Sequence, residues 1–143
     1  MNRIMGLDFG SKTIGVAVTD PLHITAQPVK TIRRSNLARD IDELKELVAE
    51  YEIGEVVIGL PLNMSGSAGE NSESVLLFKD RLEKELTLPV FVWDERLSTQ
   101  AMQRVLIDAD VSRQKRKKVI DTLAAVFILQ GYLDHKKMRM KNE

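Results

Sequence analysis

Two short runs rich in apolar and β-branched residues, 4–9 (IMGLDF) and 14–19 (IGVAVT), flank the turn residues Gly10, Ser11 and Lys12. This spacing predicts a β-hairpin. Asp20-Pro21 interrupts the pattern, and residues 27–33 supply a third strand. From Ser35 or Asn36, either of which suits a helix N-cap, Leu37, Ile41, Leu44, Leu47 and Val48 recur at helical spacing as far as about Tyr51. They predict a helix with one face on the sheet. Residues 56–60 (VVIGL) form a continuous apolar run, as in a central strand buried on both faces. Val75, Leu76, Phe78, Leu82 and Leu86 mark a second helix, and residues 89–93 a further buried strand. Helices over roughly 98–109 and 115–134 complete the pattern, with the basic end from Lys136 onward expected to be disordered. Hairpin strands followed by strands alternating with helices predict an α/β fold, a mixed sheet flanked by helices. The reading is one domain over residues 1–135 and a basic tail over 136–143, with function at strand ends.

The 143 residues suit a single domain and exclude a two-domain enzyme. At 43% hydrophobic and 29% charged residues the composition is that of a globular protein. No apolar run approaches the length of a spanning helix, and residues 1–6 lack the order of a signal peptide, so a cytoplasmic protein with no membrane association is expected. The absence of cysteine removes disulfides, thiolate metal sites and thiol nucleophiles. Two histidines far apart, His23 and His135, argue against a histidine metal site.

A formal net charge of zero hides an asymmetry. From residue 113 onward nine basic residues face three acidic ones, a local charge of +6, so the rest of the chain carries −6. Arg113, Lys115, Arg116, Lys117 and Lys118 form the densest run. A basic end on an acidic body suits a polyanionic partner, and a solvated helix start with a frayed tail is the plainer alternative.

Three carboxylate positions stand out. Asp8 lies among Ile4, Met5, Leu7 and Phe9, where a buried charge requires a partner or a metal, unless it only caps the turn at Gly10. Asp94 and Glu95 follow Phe91, Val92 and Trp93, at a strand end where open α/β sheets keep ligands, or where an acid pair complements a helix N-terminus. Asp121 is the one charged side chain in VIDTLAAVFIL, residues 119–129, a segment apolar nearly all round and therefore expected to be buried. A structural ion pair with an arginine is the competing explanation there. Carboxylate oxygens from separate elements form the hard-ligand set that suits Mg²⁺ or Mn²⁺. Two such ions activate a water and stabilise the leaving oxygen of a phosphodiester. The basic run immediately before Asp121 adds sequence-independent phosphate contacts.

GLDFGSKTIGVAVTD (6–20), VVIGLPLNMSGSAG (56–69), DERLST (94–99) and IDTLAAVFILQGYLD (120–134) together resemble the YqgF or RuvX family. The match spans nearly the whole chain in the right order. The resemblance implies a ribonuclease H-like fold and a metal-dependent nuclease acting on structured nucleic acid. It favours processing of the 5′ end of precursor 16S rRNA, in contact with ribosomal precursor particles, with resolution of branched DNA as the alternative. It assigns Asp8, Glu95 and Asp121 as catalytic, metal-holding carboxylates and favours Glu95 over Asp94. Thr13 stands where arginine is common in the family, Thr19 where serine is common, and Ser65 and Ala68 where acids are common.

Lys12, Arg96, Arg113, Lys115, Arg116, Lys117 and Lys118 are the candidate nucleic-acid contacts, with Arg96 favoured for its place beside Glu95. The loop over 61–70 offers backbone N–H groups to a phosphate, or is a plain surface loop; it lacks the Gly-Lys-Ser/Thr ending of a P-loop. A junction resolvase requires a homodimer, whereas RNA processing is compatible with a monomer. Two readings from other classes are a non-catalytic nucleic-acid-binding module and, from DxGxxxxG at 8–15, the phosphate hairpin of the actin and sugar-kinase group, whose two-domain closure this chain is too short to form.

Overall fold

The computed structural model describes residues 2–60, 70–94 and 113–141. Strands β1 (Arg3–Phe9) and β2 (Thr13–Thr19) form the expected hairpin, and β3 (Ala26–Arg33) pairs antiparallel with β2. Helix α1 (Leu37–Tyr51) leads into β4 (Ile53–Leu60), α2 (Glu70–Leu86) into β5 (Val90–Asp94), and α3 (Arg113–Lys141) closes the described chain. The five strands form one mixed sheet in the order β3-β2-β1-β4-β5, with β1, β4 and β5 parallel. Leu7 pairs with Ile58 and Ile58 with Val92, so the three parallel strands end at one edge of the sheet.

Residue alternation divides the core between the two faces. Met5, Leu7, Ile14, Val16, Val56, Ile58 and Val90 join Ile41 and Leu44 of α1 and Phe78 and Leu82 of α2 in one cluster. Ile4, Ala17 and Val57 meet Ala125, Leu129 and Leu133 of α3 in the other. Asn36 caps α1 by accepting a hydrogen bond from the Arg39 amide at 2.9 Å. Gly6 lets α3 lie against the backbone of β1, because a Cβ there would stand 2.6 Å from Leu129 Cβ and 3.2 Å from the Ala125 carbonyl oxygen.

Four expectations change. Residues 89–93 read as a buried strand, yet β5 is the sheet edge: Phe91 is exposed and Trp93 half-buried, since only β4 flanks it. Leu76 faces away from the core that Val75, Phe78 and Leu82 enter. Among the described side chains of the apolar part of α3, Ala125, Ile128, Leu129 and Leu133 are buried while Val126 and Phe127 are half-buried; the side chains of residues 119–122 lie outside those described. α3 also continues past residue 134 to Lys141, where disorder was expected. The extension is tied down by Lys136 Nζ, 2.7 Å from Glu55 Oε1, and by Lys137 Nζ, which donates to the Ile24 carbonyl at 3.3 Å. The helix expected over 98–109 lies outside the described residues. No helix among the described residues is long and apolar enough to cross a membrane.

Candidate functional site

Strand pairing sets one row of residues across the sheet. Thr31 on β3 pairs with Gly15 on β2, and Gly15 with Asp8 on β1. Gly59, next after Ile58 on β4, pairs with Trp93 on β5. Asp8 therefore sits in the central strand, near the edge where the parallel strands end. It is half-buried and shares its face with Ile4 and Gly6, the face that α3 covers. A Cβ added at Gly15 would lie 3.6 Å from Asp8 Cβ and 3.5 Å from Ala125 Cβ, so glycine keeps a small cradle open between the carboxylate strand and the helix.

α3 runs antiparallel to β1, from Ala125 beside Gly15 towards Gln130. The Gln130 side chain accepts from the Ala26 amide at 2.9 Å and donates to the Ile24 carbonyl at 3.3 Å, fixing the helix against the β2–β3 connection. Residue 121 lies one helical turn before Ala125, and residues four apart share a helix face. Residue 121 and the basic run Arg113, Lys115, Arg116, Lys117 and Lys118 are described through their backbone in the N-terminal part of α3, whose first turn contains no acidic residue. Glu95, Arg96 and the loop over 61–69 lie outside the described residues. Among the described residues no three histidines or carboxylates converge into a metal-holding group.

Lys12 is exposed on the β1–β2 turn, three residues before Gly15 of the row that contains Asp8. It lines a shallow pocket with Ser11, Thr13, Thr31, Arg33 and Arg34. Thr13 pairs with Arg33, and Thr31 and Arg33 alternate onto the same face as Gly15. Arg34 is held as a strut: its guanidinium donates to the Gly10 carbonyl at 2.8 Å and the Ser11 carbonyl at 3.3 Å, and it lies 4.3 Å from the centre of the Phe9 ring. Among the described residues no carboxylate forms an ion pair with Lys12 or Arg33. Sequence reading missed Arg33 and Arg34. The doublet at the end of a strand-length segment was visible, but its position beside Lys12 follows only from the β2–β3 register.

A mixed five-stranded sheet in this order, with a carboxylate at the end of its central strand and a long closing helix on that face, has the architecture of the ribonuclease H-like resolvases. Thermus thermophilus RuvC, solved in complex with a Holliday junction, superposes with a TM-score of 0.67 at 13% identity over 96% of each chain. The fowlpox virus Holliday junction resolvase gives 0.53 at 18% identity, over 93% of this chain and 99% of its own. Within that class the chain belongs to the RuvX family, described as Holliday junction resolvase, which it matches over residues 2–135. A Desulfitobacterium hafniense (strain DSM 10664 / DCB-2) protein named "Putative pre-16S rRNA nuclease" is 56% identical over 140 residues, covering 98% of this chain and 96% of its own. A protein of the same name from Clostridioides difficile (strain 630) is 58% identical over 134 residues, covering 94% and 95%.

Proposed function

We propose that the chain is a metal-dependent nuclease that hydrolyses phosphodiester bonds in structured nucleic acid, with the 5′ end of precursor 16S rRNA as its substrate. The observation that carries this reading is Asp8, a half-buried carboxylate in the central strand, on the face closed by α3, where Ala125 lies beside Gly15 one helical turn after residue 121. High identity to relatives bearing the precursor-rRNA name favours that substrate, and the family's description keeps the four-way junction as the second reading.

Asp8, Glu95 and Asp121 are the residues that would hold Mg²⁺ or Mn²⁺. The fit is chemical: the donors are all carboxylate oxygens, the chain has no cysteine, and Gly15 leaves space beside Asp8. A divalent ion bound there supplies a nucleophilic water and charge stabilisation for the leaving oxygen. The chain's own cations do the rest. Lys12 and Arg33 attract the backbone on one side of Asp8, and Arg96 and the run from Arg113 to Lys118 supply further phosphate contacts. Such contacts orient the strand without reading its sequence.

The test is cleavage of a labelled precursor rRNA fragment and a four-way DNA junction in Mg²⁺ or Mn²⁺, by wild type and by Asp8→Asn. The expected result is RNA cleavage by wild type, lost at least a hundredfold in Asp8→Asn and on chelation, with nucleic-acid binding retained. Cleavage of the junction alone, by a dimer in solution, moves the substrate to DNA. Equal activity of the two proteins overturns the role of Asp8.

A further inference from the structure

A second groove lies on the same face as Asp8, between the edge strand β5 and the C-terminal half of α3. Phe91 and Trp93, alternate residues of β5, form one wall. Tyr132, His135, Lys136 and Arg139 form the other, at spacings of three, four and seven that share one helix face. Val92 and Glu55 complete the lining around a volume of about 450 Å³. The rings are graded in tilt. Phe91 and Tyr132 stack with centres 6.3 Å apart, Trp93 meets Tyr132 edge-on at 6.2 Å, and His135 tilts over Trp93 at 5.4 Å. Phe91 remains 45% exposed, an aromatic face turned to solvent rather than sealed in the core.

The charges explain why this ring cluster is open. Glu55, the one acid among the described residues that line the groove, is engaged twice: it accepts from the Tyr132 hydroxyl at 2.6 Å and pairs with Lys136 at 2.7 Å. Among the described residues no carboxylate forms an ion pair with Arg139, so the described rim of the groove is cationic. A second copy of the chain packed here about a two-fold axis brings like charges against each other, which is unfavourable. Aromatic faces rimmed by cations instead match an unpaired nucleotide, whose base stacks while its phosphates meet the cations.

We propose that this groove is a nucleobase-stacking site that holds an unpaired stretch of the substrate strand beside the Asp8 end of the sheet. The proposal rests on the nuclease reading for the identity of the strand. Trp93 shares the sheet row of Asp8 two strands away, about 10 Å at the usual strand spacing, so the same strand reaches both. A paired duplex keeps its bases stacked on one another and presents no free face, so the groove selects a single strand over a duplex.

Trp93 is the only tryptophan, so its fluorescence reports this groove directly. The experiment titrates the full-length protein, in chelator so that nothing is cleaved, with an unstructured RNA oligonucleotide, a backbone of equal length lacking bases, and a blunt duplex. The expected result is saturable quenching by the oligonucleotide, weaker binding of the other two, and affinity about tenfold lower in Phe91→Ala and in Phe91→Leu, with unchanged circular dichroism. Equal quenching and affinity for the base-free backbone overturns the proposal, as does undiminished affinity in both Phe91 variants. A dimer that Phe91→Ala converts to monomer also overturns it. Quenching that persists while neither substrate of the cleavage test is cut sinks the nuclease reading alone; cleavage without base-dependent quenching sinks this one alone.

Discussion

A charged residue in an apolar strand is conspicuous before any coordinates exist. Asp8 is such a residue, and the structure places it half-buried in β1, the central strand of the sheet. Gly6 carries an equal constraint that composition does not announce. Its missing side chain is where α3 touches the sheet, so Gly6→Ala drives a Cβ into Leu129. We expect a loss of about 1–3 kcal/mol in urea unfolding, the range for overpacked cores, together with lower activity as α3 moves away from Asp8. Arg33 and Phe91 were not legible, because a residue's own neighbours in sequence do not say which strand lies at an edge or which cations face the same way.

At the scale of elements, hydrophobic spacing located α1, α2 and every strand to within a few residues. The miss lay at the end of α3, where local sequence reads as a polar tail. What extends it is tertiary: the Lys136–Glu55 pair, the Lys137 contact with Ile24, and the Tyr132 hydroxyl on Glu55, joining the helix to β4 and the β2–β3 connection. Burial, then the hydrogen bond and negative charge of Glu55, raise the Tyr132 pKa well above its ordinary 10.0. The neutral hydroxyl is thus favoured in the folded state, and the stability it brings is present below pH 10 and is lost as pH rises through the folded value. Denaturant melts of wild type should weaken above pH 10 more steeply than those of Tyr132→Phe, which lacks the titrating group. Parallel curves would show that this joint does not couple to pH.

For the whole molecule, zero net charge conceals a basic end and a basic corner around Lys12 and Arg33. A phosphate contact that releases one counterion changes the salt dependence of binding by a slope of roughly 0.7 to 0.9 in log–log form. Lys12→Gln and Arg33→Gln should each lower the slope by up to about that amount, measured by titrating RNA at several salt concentrations, while leaving the melting temperature nearly unchanged. A slope identical to wild type would mean that these cations face solvent rather than substrate. The imbalance itself was visible in the sequence, but the corner was not, since it is assembled from a turn and the far end of β3.

On the face that carries Asp8, the partner of β1 is α3. Ile4 and Gly6 are made more than a hundred residues before Ala125 and Leu129. At translation rates of about 5–20 residues per second the nascent chain carries that face bare for several seconds. An unfinished molecule can bury Met5, Leu7, Val56 and Ile58 under α1 and α2, yet its Asp8 lacks the helix that completes the pocket. On the proposed function, catalytic competence is therefore expected only in nascent chains that already include α3.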